Sequence, residues 1–439
     1  LGNDLSPMNY PENTYPFRQD STFLYFWGLD LPGLAAIIDI DENQEILFGR
    51  DSTLHDMVWT GAQPSLNHLC LKSGLKDAAA LGQLDSVLKS ALDKNRRIHF
   101  LPQYRPENLI KVQALLGIAP SFVNNFVSNA FIKAVVDQRS IKTEEEVEQI
   151  ESALDITYEI HLLAMKMSQP GTSEREVVGA MMGIVKAGGA SPAFPFIFSV
   201  DGQILHNPHH QNVMQDGDII INDSGVETSM HYASDITRTF PVAGKFTQKQ
   251  KEIYAVVLDA QLKAIETIKP GMEYRKVHNL ACCQITAGLM ALGLMRGDVN
   301  EAVAAGAHAL FMPAGLGHMM GLDVHDMEDL GEDYVGYTNT IRRSSQFGMS
   351  HLRLARTLEP GFVVTVEPGI YFIPELIDQW KTEGKFEDFI DYNKVEDYRD
   401  FGGIRIEDDV LVHDAGKRVL GKPIAKTVAE VETLSSQIS

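Results

Sequence analysis

Hydrophobic patterning first separates an N-terminal stretch of short elements. An apolar run at residues 34–40 and another at 45–48, with a polar turn between them, predict a β-hairpin. We expect residues 22–50 to form short strands with turns, and residues 77–115 to form helices alternating with a strand at 97–101. This part of the chain shows no convincing catalytic cluster. It is therefore predicted to be a modest α/β domain with a structural or oligomerisation role.

A different pattern begins after a break near Arg139. Thr143 and Glu146 form a capping box ahead of apolar residues at helical spacing, which predicts the start of a long helix. Two further helix starts carry the same signature: Ser173 with Glu176, and Thr247 with Gln250. We place a domain boundary at this break, which gives an N-terminal domain of residues 1–138 and a second domain of residues 139–439.

The second domain contains a weak internal repeat. A Pro-Gly pair precedes a helical stretch at Gly171 and again at Gly271. Two apolar strands also match, because Asp223 and Glu367 each lie six residues after one glycine and two residues before another. The repeat predicts an α+β domain of two related halves that face each other, with an acidic side chain from each half brought towards the other.

Two more acidic residues lie in strand-like segments. Asp235 opens the strand-like Ser-Asp-Ile-Thr-Arg-Thr-Phe, and Glu407 lies in Gly-Gly-Ile-Arg-Ile-Glu-Asp-Asp. One such acid is more often a turn cap or an ion-pair partner, but burying four would be costly without a cation. With His318, from Gly-Leu-Gly-His, they form a mainly oxygen ligand set that suits two ions of Mn²⁺, Co²⁺ or Zn²⁺.

Composition narrows the function classes. The formal charge of −21 opposes binding to nucleic acid or to an anionic membrane, both of which need a concentrated basic surface. No run of eighteen apolar residues occurs, and residues 1–20 are polar rather than built like a secretory signal. The three cysteines suggest no disulfide framework. We therefore expect a cytoplasmic location.

Five motifs together resemble a known family. They are Asp223-Ser-Gly, Ser234-Asp-Ile-Thr-Arg-Thr-Phe, Gly317-His-Met-Met-Gly-Leu-Asp-Val-His-Asp, Thr365-Val-Glu-Pro-Gly-Ile-Tyr and Gly403-Ile-Arg-Ile-Glu-Asp-Asp. Their order and spacing resemble those of the proline-specific peptidases with the pita-bread fold, namely prolidase (the Xaa-Pro dipeptidase) and the Xaa-Pro aminopeptidases. The resemblance implies a pita-bread catalytic domain of two pseudo-symmetric α+β halves, preceded by a smaller α/β domain.

The same resemblance implies roles for particular residues. The implied ligands of two divalent metal ions, with Mn²⁺ the expected metal, are Asp223, Asp235, His318, Glu367 and Glu407. Of these, Asp235 and Glu407 would bridge the ions, and Glu367 would also relay a proton. His206 and His325 match histidines that contact substrate and stabilise the intermediate. Arg353 resembles an arginine of prolidase that clamps the substrate's C-terminal carboxylate, with Arg356 as an alternative.

Several functional alternatives remain at this stage. Arg353 and the long segment 372–398 favour a dipeptidase acting on Xaa-Pro, whereas an Xaa-Pro aminopeptidase acting on longer peptides and a non-catalytic peptide-binding protein are the alternatives. Arg405 is expected either to orient a carboxylate or to reach the substrate. The apolar walls of the proline slot are expected among Phe194, Phe196 and Tyr371. The resemblance also implies a homodimer. The remaining histidines considered are expected to be surface or packed side chains: His209, His210, His308, His351 and His413.

Overall fold

The computed structural model describes residues 1–436. The chain divides into two compact units, Leu1–Val136 and a second that begins at Asp137.

The first unit is built around a small mixed sheet. Its elements are β1 (Pro7–Tyr10), β2 (Asn13–Thr14), α1 (Ser21–Trp27), β3 (Ala35–Asp39), β4 (Gln44–Gly49), α2 (Leu54–Thr60), α3 (Leu66–Lys72), β5 (Asp77–Ala80), α4 (Leu84–Asp93) and α5 (Pro106–Leu116), with α6 (Asn129–Ser140) crossing the division. The predicted hairpin is confirmed, since β3 and β4 pair antiparallel with Ala35 opposite Phe48. Strand β5 extends this sheet in parallel with β4.

Two local predictions for this unit were wrong. Ser21–Trp27 is helical and not extended, because Asp20 accepts the backbone N–H of Phe23 and caps the helix start. Residues 97–101 form no strand, although their composition is strand-like. Their backbone bonds elsewhere, as where the Phe100 carbonyl accepts the N–H of Ser128. Both errors reflect local or tertiary hydrogen bonds that outweigh strand propensity.

The second unit alternates long helices with short buried strands. Its first half contains α7 (Glu144–Met167), α8 (Glu174–Ala187), β6 (Ser191–Pro192), β7 (Ile197–Ser199), β8 (Ile219–Ser224), β9 (Val226–Glu227) and β10 (Ile236–Pro241). Its second half contains α9 (Gln248–Thr267), α10 (Tyr274–Ala291), α11 (Val299–Ala305), α12 (Glu332–Val335), β11 (Val363–Val366), β12 (Gly369–Tyr371), α13 (Pro374–Thr382), α14 (Tyr392–Glu396), β13 (Gly403–Arg405), β14 (Asp408–His413), β15 (Gly416–Val419) and α15 (Val428–Ser435).

The three predicted helix starts lie where the sequence places them. The Thr143 hydroxyl accepts the Glu146 N–H while the Glu146 carboxylate accepts the Thr143 N–H, and α7 begins at the next residue. Thr247 and Gln250 cap α9 in the same reciprocal way. At α8, the Glu176 carboxylate accepts the backbone N–H of Ser173. These contacts are local, which is why the sequence alone predicts them.

The internal repeat is present in the backbone. Gly171 and Gly271 both have positive φ, +89° and +82°, which an L side chain rarely adopts. In each half this glycine donates its N–H to the segment that leads into a strand with an acid at its end, to the Met214 carbonyl before β8 in one half and to the Leu358 carbonyl before β11 in the other. The two halves therefore use the same turn to join a helix pair to an acid-bearing strand.

The strands of each half form their own antiparallel sheet. In the first, β8 is central between β7 and β10, and Asp223 lies opposite Thr237. In the second, β14 is central between β11 and β15, and Thr365 lies opposite Asp409. A separate β12–β13 pair places Gly369 opposite Arg405. This pairing brings the strand ends that carry acidic residues to one region of the unit.

Two glycines permit close approach of the site-bearing segments. A Cβ on Gly225 would lie 1.8 Å from the Ser234 carbonyl oxygen, beside Asp235. A Cβ on Gly317 would lie 2.2 Å from the Thr365 carbonyl oxygen. Any side chain at either position would push apart the backbones that bring Asp235 and His318 into the site.

A helix that crosses a bilayer needs a continuous apolar stretch of about 18 residues or more. Across residues 1–436, none of the helices meets this requirement.

Candidate metal centre and cavity

Five predicted ligands lie on neighbouring strands and loops of the second unit. Asp223 is on β8, Asp235 directly precedes β10, and Glu367 directly follows β11. Glu407 lies between β13 and β14, and His318 is on the loop that bridges to β11 through Met319. All four acids lie at or near a strand end, as the sequence pattern predicted.

The His318 ring connects acids from both halves. Its Nε2 lies 3.4 Å from Asp235 Oδ2 and 3.5 Å from Glu367 Oε1. Its Nδ1 lies 3.0 Å from the Met319 carbonyl oxygen, to which it donates. That bond fixes the tautomer and leaves the Nε2 lone pair facing the acids, as in a histidine that ligates a metal.

Hydroxyl groups and one arginine orient the remaining acids. Thr237 donates to Glu407 Oε2 at 2.7 Å. The Arg405 guanidinium contacts Asp223 Oδ2 at 2.5 Å, the Thr237 hydroxyl at 3.1 Å and the Tyr371 hydroxyl at 2.9 Å. Arg405 is buried and forms its ion pair with Asp223, so a single positive charge lies among several acidic ones.

Asp409 is an acid of this cluster that was not singled out from the sequence. It is fully buried on β14, and its Oδ2 accepts the backbone N–H of Asp235 at 3.1 Å. The alternation of Arg405, Glu407 and Asp409 was the available signal. Asp409 supports the position of Asp235 through the backbone.

The acids repel one another in the metal-free chain. Burial, followed by the negative charges of Asp223, Asp409 and Glu367, raises the pKa of Asp235 well above its usual value. Burial and the charges of Asp235, Glu367 and Asp223 likewise raise the pKa of Glu407. Burial also raises the pKa of Asp409. Each of these carboxyls therefore ionises less readily than a free carboxyl unless a cation compensates its charge.

Several acidic oxygens have no partner within the described residues. They are Asp223 Oδ1, Asp235 Oδ1, Glu407 Oε1 and Asp409 Oδ1. Single ligand atoms of Asp235, His318 and Glu407 lie within 4.8 Å of one another. Unpaired buried carboxylate oxygens beside an imidazole nitrogen are a donor set that suits a divalent cation. The residues therefore fit a divalent metal.

A cavity of about 400 Å³ opens onto this cluster. His318 and Glu367 reach its wall, together with the predicted substrate residues His206 and His325. The site thus combines buried acids with a space large enough for a small peptide.

His325 packs against His318. Its ring centroid is 4.2 Å from that of His318, and its Nδ1 is 3.3 Å from Glu328 Oε2. Burial, with a smaller effect from His318, lowers the pKa of His325 to about 4. His325 is therefore neutral at neutral pH.

The two arginines offered for carboxylate binding occupy different places. Arg353 lines the cavity and pairs there with Glu328 and Glu332. Arg356 instead pairs with Glu359 and stacks on Phe362. Of the two, only Arg353 faces the cavity.

The cavity walls differ from those expected. Phe196 is buried in the core, and Tyr371 is buried with its hydroxyl on Arg405; neither of them, nor Phe194 or Arg405, is among the lining residues. The apolar wall is formed by Leu205, Pro313, Ala314 and Phe347. The sequence suggested aromatic residues near the strands, but loops provide the wall.

His351 was expected to be an ordinary surface or packed side chain. It lies on the cavity wall beside Phe347, with ring centroids 6.1 Å apart. Arg343, which also lines the cavity, donates to the backbone carbonyls of Ser350 and Leu352 on either side of His351. No local sequence signal marks these loop residues, because only tertiary folding brings them together.

Comparison with known proteins places the chain in a family. The model of metallopeptidase family M24 matches residues 148–414, and the model of the aminopeptidase P N-terminal domain matches residues 1–99. The chain belongs to metallopeptidase family M24. Divalent metal ions are accordingly its cofactors.

Individual relatives agree with this assignment. The chain is 34% identical to the Xaa-Pro dipeptidase of Rattus norvegicus, over 95% of this chain and 84% of the relative. It is 32% identical to the Xaa-Pro aminopeptidase of Escherichia coli, over 96% of this chain and 90% of the relative.

Solved structures confirm the predicted pita-bread fold with its N-terminal domain. Aminopeptidase PepP of Pseudomonas aeruginosa superposes with a TM-score of 0.80 at 30% identity, covering 99% of this chain and 93% of that chain. Zinc-substituted aminopeptidase P of Escherichia coli in complex with product gives a TM-score of 0.79 at 30% identity, covering 99% and 92%. The predicted resemblance to the proline-specific peptidases is thereby confirmed at the level of the family.

The raised pKa of Asp235 leads to a stability prediction for chelator-stripped protein. An acid that keeps its proton to higher pH when folded destabilises the fold above the ordinary carboxyl pKa. We expect metal-free Asp235→Asn to be more stable than the metal-free wild-type chain by about 1–3 kcal/mol near pH 8, and this advantage to shrink towards pH 4. Urea denaturation at both pH values measures the difference.

The exposed Asp216→Asn serves as the matched control and should show no such pH-dependent difference. Adding Mn²⁺ should make the wild-type chain the more stable protein, because it binds the ion through the Asp235 carboxylate, which the variant lacks. If metal-free Asp235→Asn is the less stable protein at both pH values, the repulsion described here does not exist.

Proposed function

We propose that this chain hydrolyses the peptide bond that precedes proline, using two divalent metal ions held by Asp223, Asp235, His318, Glu367 and Glu407. The observation that carries the proposal is the convergence of unpaired buried carboxylates and the His318 Nε2 lone pair at one end of a peptide-sized cavity. Asp235 and Glu407 are proposed to bridge the ions. Mn²⁺ is the proposed metal because the ligands are mainly oxygen, with Co²⁺ or Zn²⁺ as alternatives.

The proposed chemistry assigns distinct tasks to the side chains. Two bound cations would supply a water of lowered pKa and polarise the scissile carbonyl. Glu367 would hold and relay a proton, since it is the acid that reaches the cavity wall, where the Thr365 hydroxyl donates to its Oε1 at 3.2 Å. His206 and His325 contact the bound peptide from the same wall.

Selection for proline follows from its chemistry. An Xaa-Pro amide has no N–H to offer and a fixed ring, so recognition depends on shape rather than on backbone hydrogen bonds. The cavity has an apolar wall of Leu205, Pro313, Ala314 and Phe347 against which a ring can pack.

Dipeptides are proposed as the preferred substrates. In an Xaa-Pro dipeptide the free carboxylate follows the proline directly, and Arg353 is a cationic group on the cavity wall. The second candidate is Xaa-Pro aminopeptidase activity on longer peptides. It is favoured by Glu328 and Glu332, which already pair with Arg353, and by the solved aminopeptidases of the same fold.

A direct assay tests the activity. Chelator-stripped protein, with and without added Mn²⁺, is given an Ala-Pro dipeptide, a longer peptide with proline second, and the matching peptides with alanine instead of proline. We expect Mn²⁺-dependent cleavage of the proline peptides only, fastest for the dipeptide, and a loss of about 100-fold or more in Asp235→Asn. Equal cleavage of the alanine peptides, or no dependence on Asp235, contradicts the proposal.

Arg353 provides a test of the substrate length. Removing a charged hydrogen-bond partner costs about 1.5–3 kcal/mol, so Arg353→Met should lower kcat/KM for the dipeptide about 10–150-fold while changing the longer peptide little. Arg356→Met is the matched control, because Arg356 pairs with Glu359 outside the cavity. An equal loss on both substrates would make Arg353 a structural residue.

We propose a homodimer with the N-terminal domain, residues 1–138, as the oligomerisation domain. Helix α2 exposes Leu54, Val58 and Trp59 together, and buried tryptophans often anchor interfaces. Trp59→Ser should weaken the dimer in sedimentation velocity, whereas Ile40→Ser, at another exposed apolar position, should not. A monomeric wild-type chain at micromolar concentration contradicts the proposal.

The three free cysteines support the proposed cytoplasmic location.

A further inference from the structure

A second cluster of metal-ligand side chains lies inside the second unit. His278 and Cys282 are one turn apart on α10, and His308 comes from the 3-10 helix Ala307–Leu310. All three are almost completely buried. Ligand atoms of the three lie within 4.8 Å of one another, and His278 Nε2 is 3.4 Å from Cys282 Sγ. The peptidase chemistry proposed above uses none of these residues.

The nitrogen atoms of this cluster lack partners. Neither ring nitrogen of His308 has a hydrogen bond within residues 1–436, and His278 Nδ1 has none either. An unsatisfied buried polar group costs about 1–3 kcal/mol, so three of them in one place require a reason. The Thr286 hydroxyl, one further turn along α10 from Cys282, is also buried without a partner.

The two imidazoles are in the protonation state of metal ligands, whereas the thiol must lose its proton when a metal binds. Burial lowers the pKa of His278 to about 3 and that of His308 to about 4, so both imidazoles are neutral and keep a lone pair. Burial raises the pKa of the Cys282 thiol. When a cation binds, the S–H bond breaks, a sulfur–metal bond forms and the proton leaves to solvent.

We propose that His278, Cys282 and His308 form a further metal site, for Zn²⁺ or a similar thiophilic divalent ion. Two imidazoles and one thiolate are ligands that zinc prefers, in contrast to the oxygen-rich cluster at Asp235. Zinc bond lengths require ligand atoms about 3.3–3.7 Å apart, so side-chain adjustments of about 1 Å bring these three atoms around one ion and leave its fourth position to another group.

The position of the site gives it a structural role. Helix α10 begins at Tyr274, whose hydroxyl donates to the Thr365 carbonyl next to the His318 loop. The His308 carbonyl accepts the N–H groups of Phe311 and Met312, just before the cavity wall at Pro313. An ion bound here ties α10 to the segment that carries one wall of the cavity.

Metal content is the first test. Full-length protein is expressed with Zn²⁺ and Mn²⁺ supplied, freed of loosely bound ions, and measured by elemental mass spectrometry in an Asp235→Asn/Glu407→Gln background that weakens the other centre. We expect about one zinc per chain to remain, and to be lost in Cys282→Ala. Cys283→Ala is the matched control, since that neighbouring thiol is outside the cluster and should leave the zinc in place.

Cobalt substitution gives a second readout, and its first measurement uses the wild-type protein, whose folding no substitution affects. Wild-type protein loaded with Co²⁺ should show a thiolate-to-cobalt charge-transfer absorption, which Cys283→Ala retains and which Cys282→Ala or His308→Gln removes. Zinc retained equally in Cys282→Ala and His308→Gln would overturn the proposal. Absence of both bound zinc and the thiolate band in the wild-type protein would show instead that the three side chains are ordinary core residues.

Discussion

Mutual repulsion of buried carboxylates is the constraint on which the second unit depends. Asp223, Asp235, Glu407 and Asp409 are buried close together, while Arg405 contacts only the first of them. Charges in such a setting cost several kcal/mol each unless a cation compensates them. Hydroxyls such as that of Thr237 orient single oxygens but supply no charge. A bound divalent cation would offset the cost of ionising these acids.

The repeated architecture explains how acids from separate segments of the chain reach one site. Each half uses a positive-φ glycine turn, at Gly171 or Gly271, to connect a helix pair with the strand that ends in an acid. Acids from the two halves then meet at His318, which lies close to both Asp235 and Glu367. Helix α10 belongs to the same framework, because Tyr274 at its start bonds to the Thr365 carbonyl. A metal tie at His278 would therefore stiffen the support of the active centre rather than its chemistry.

The sequence predicted what local chemistry or a repeated pattern determines. The capping boxes at Thr143 and Thr247 depend on contacts within one helical turn. The acids at strand ends were predicted to be metal ligands because burying a carboxylate is costly unless a cation compensates it. The start of α1 was missed although Asp20 is a standard N-cap, because the apolar pattern was given more weight. The cavity wall at Phe347 and His351 depends on loops that only the tertiary structure brings together. His278 and Cys282 have visible helical spacing, but their third partner, His308, comes from a separate element.

Anomalous diffraction from crystals grown with Mn²⁺ tests the central claim most directly, because it locates each ion independently of activity. The account predicts two manganese peaks bounded by Asp223, Asp235, His318, Glu367 and Glu407, with Asp235 and Glu407 in contact with both. A protein that cleaves proline peptides with no manganese at these residues, or with the acids turned away from any ion, would contradict it.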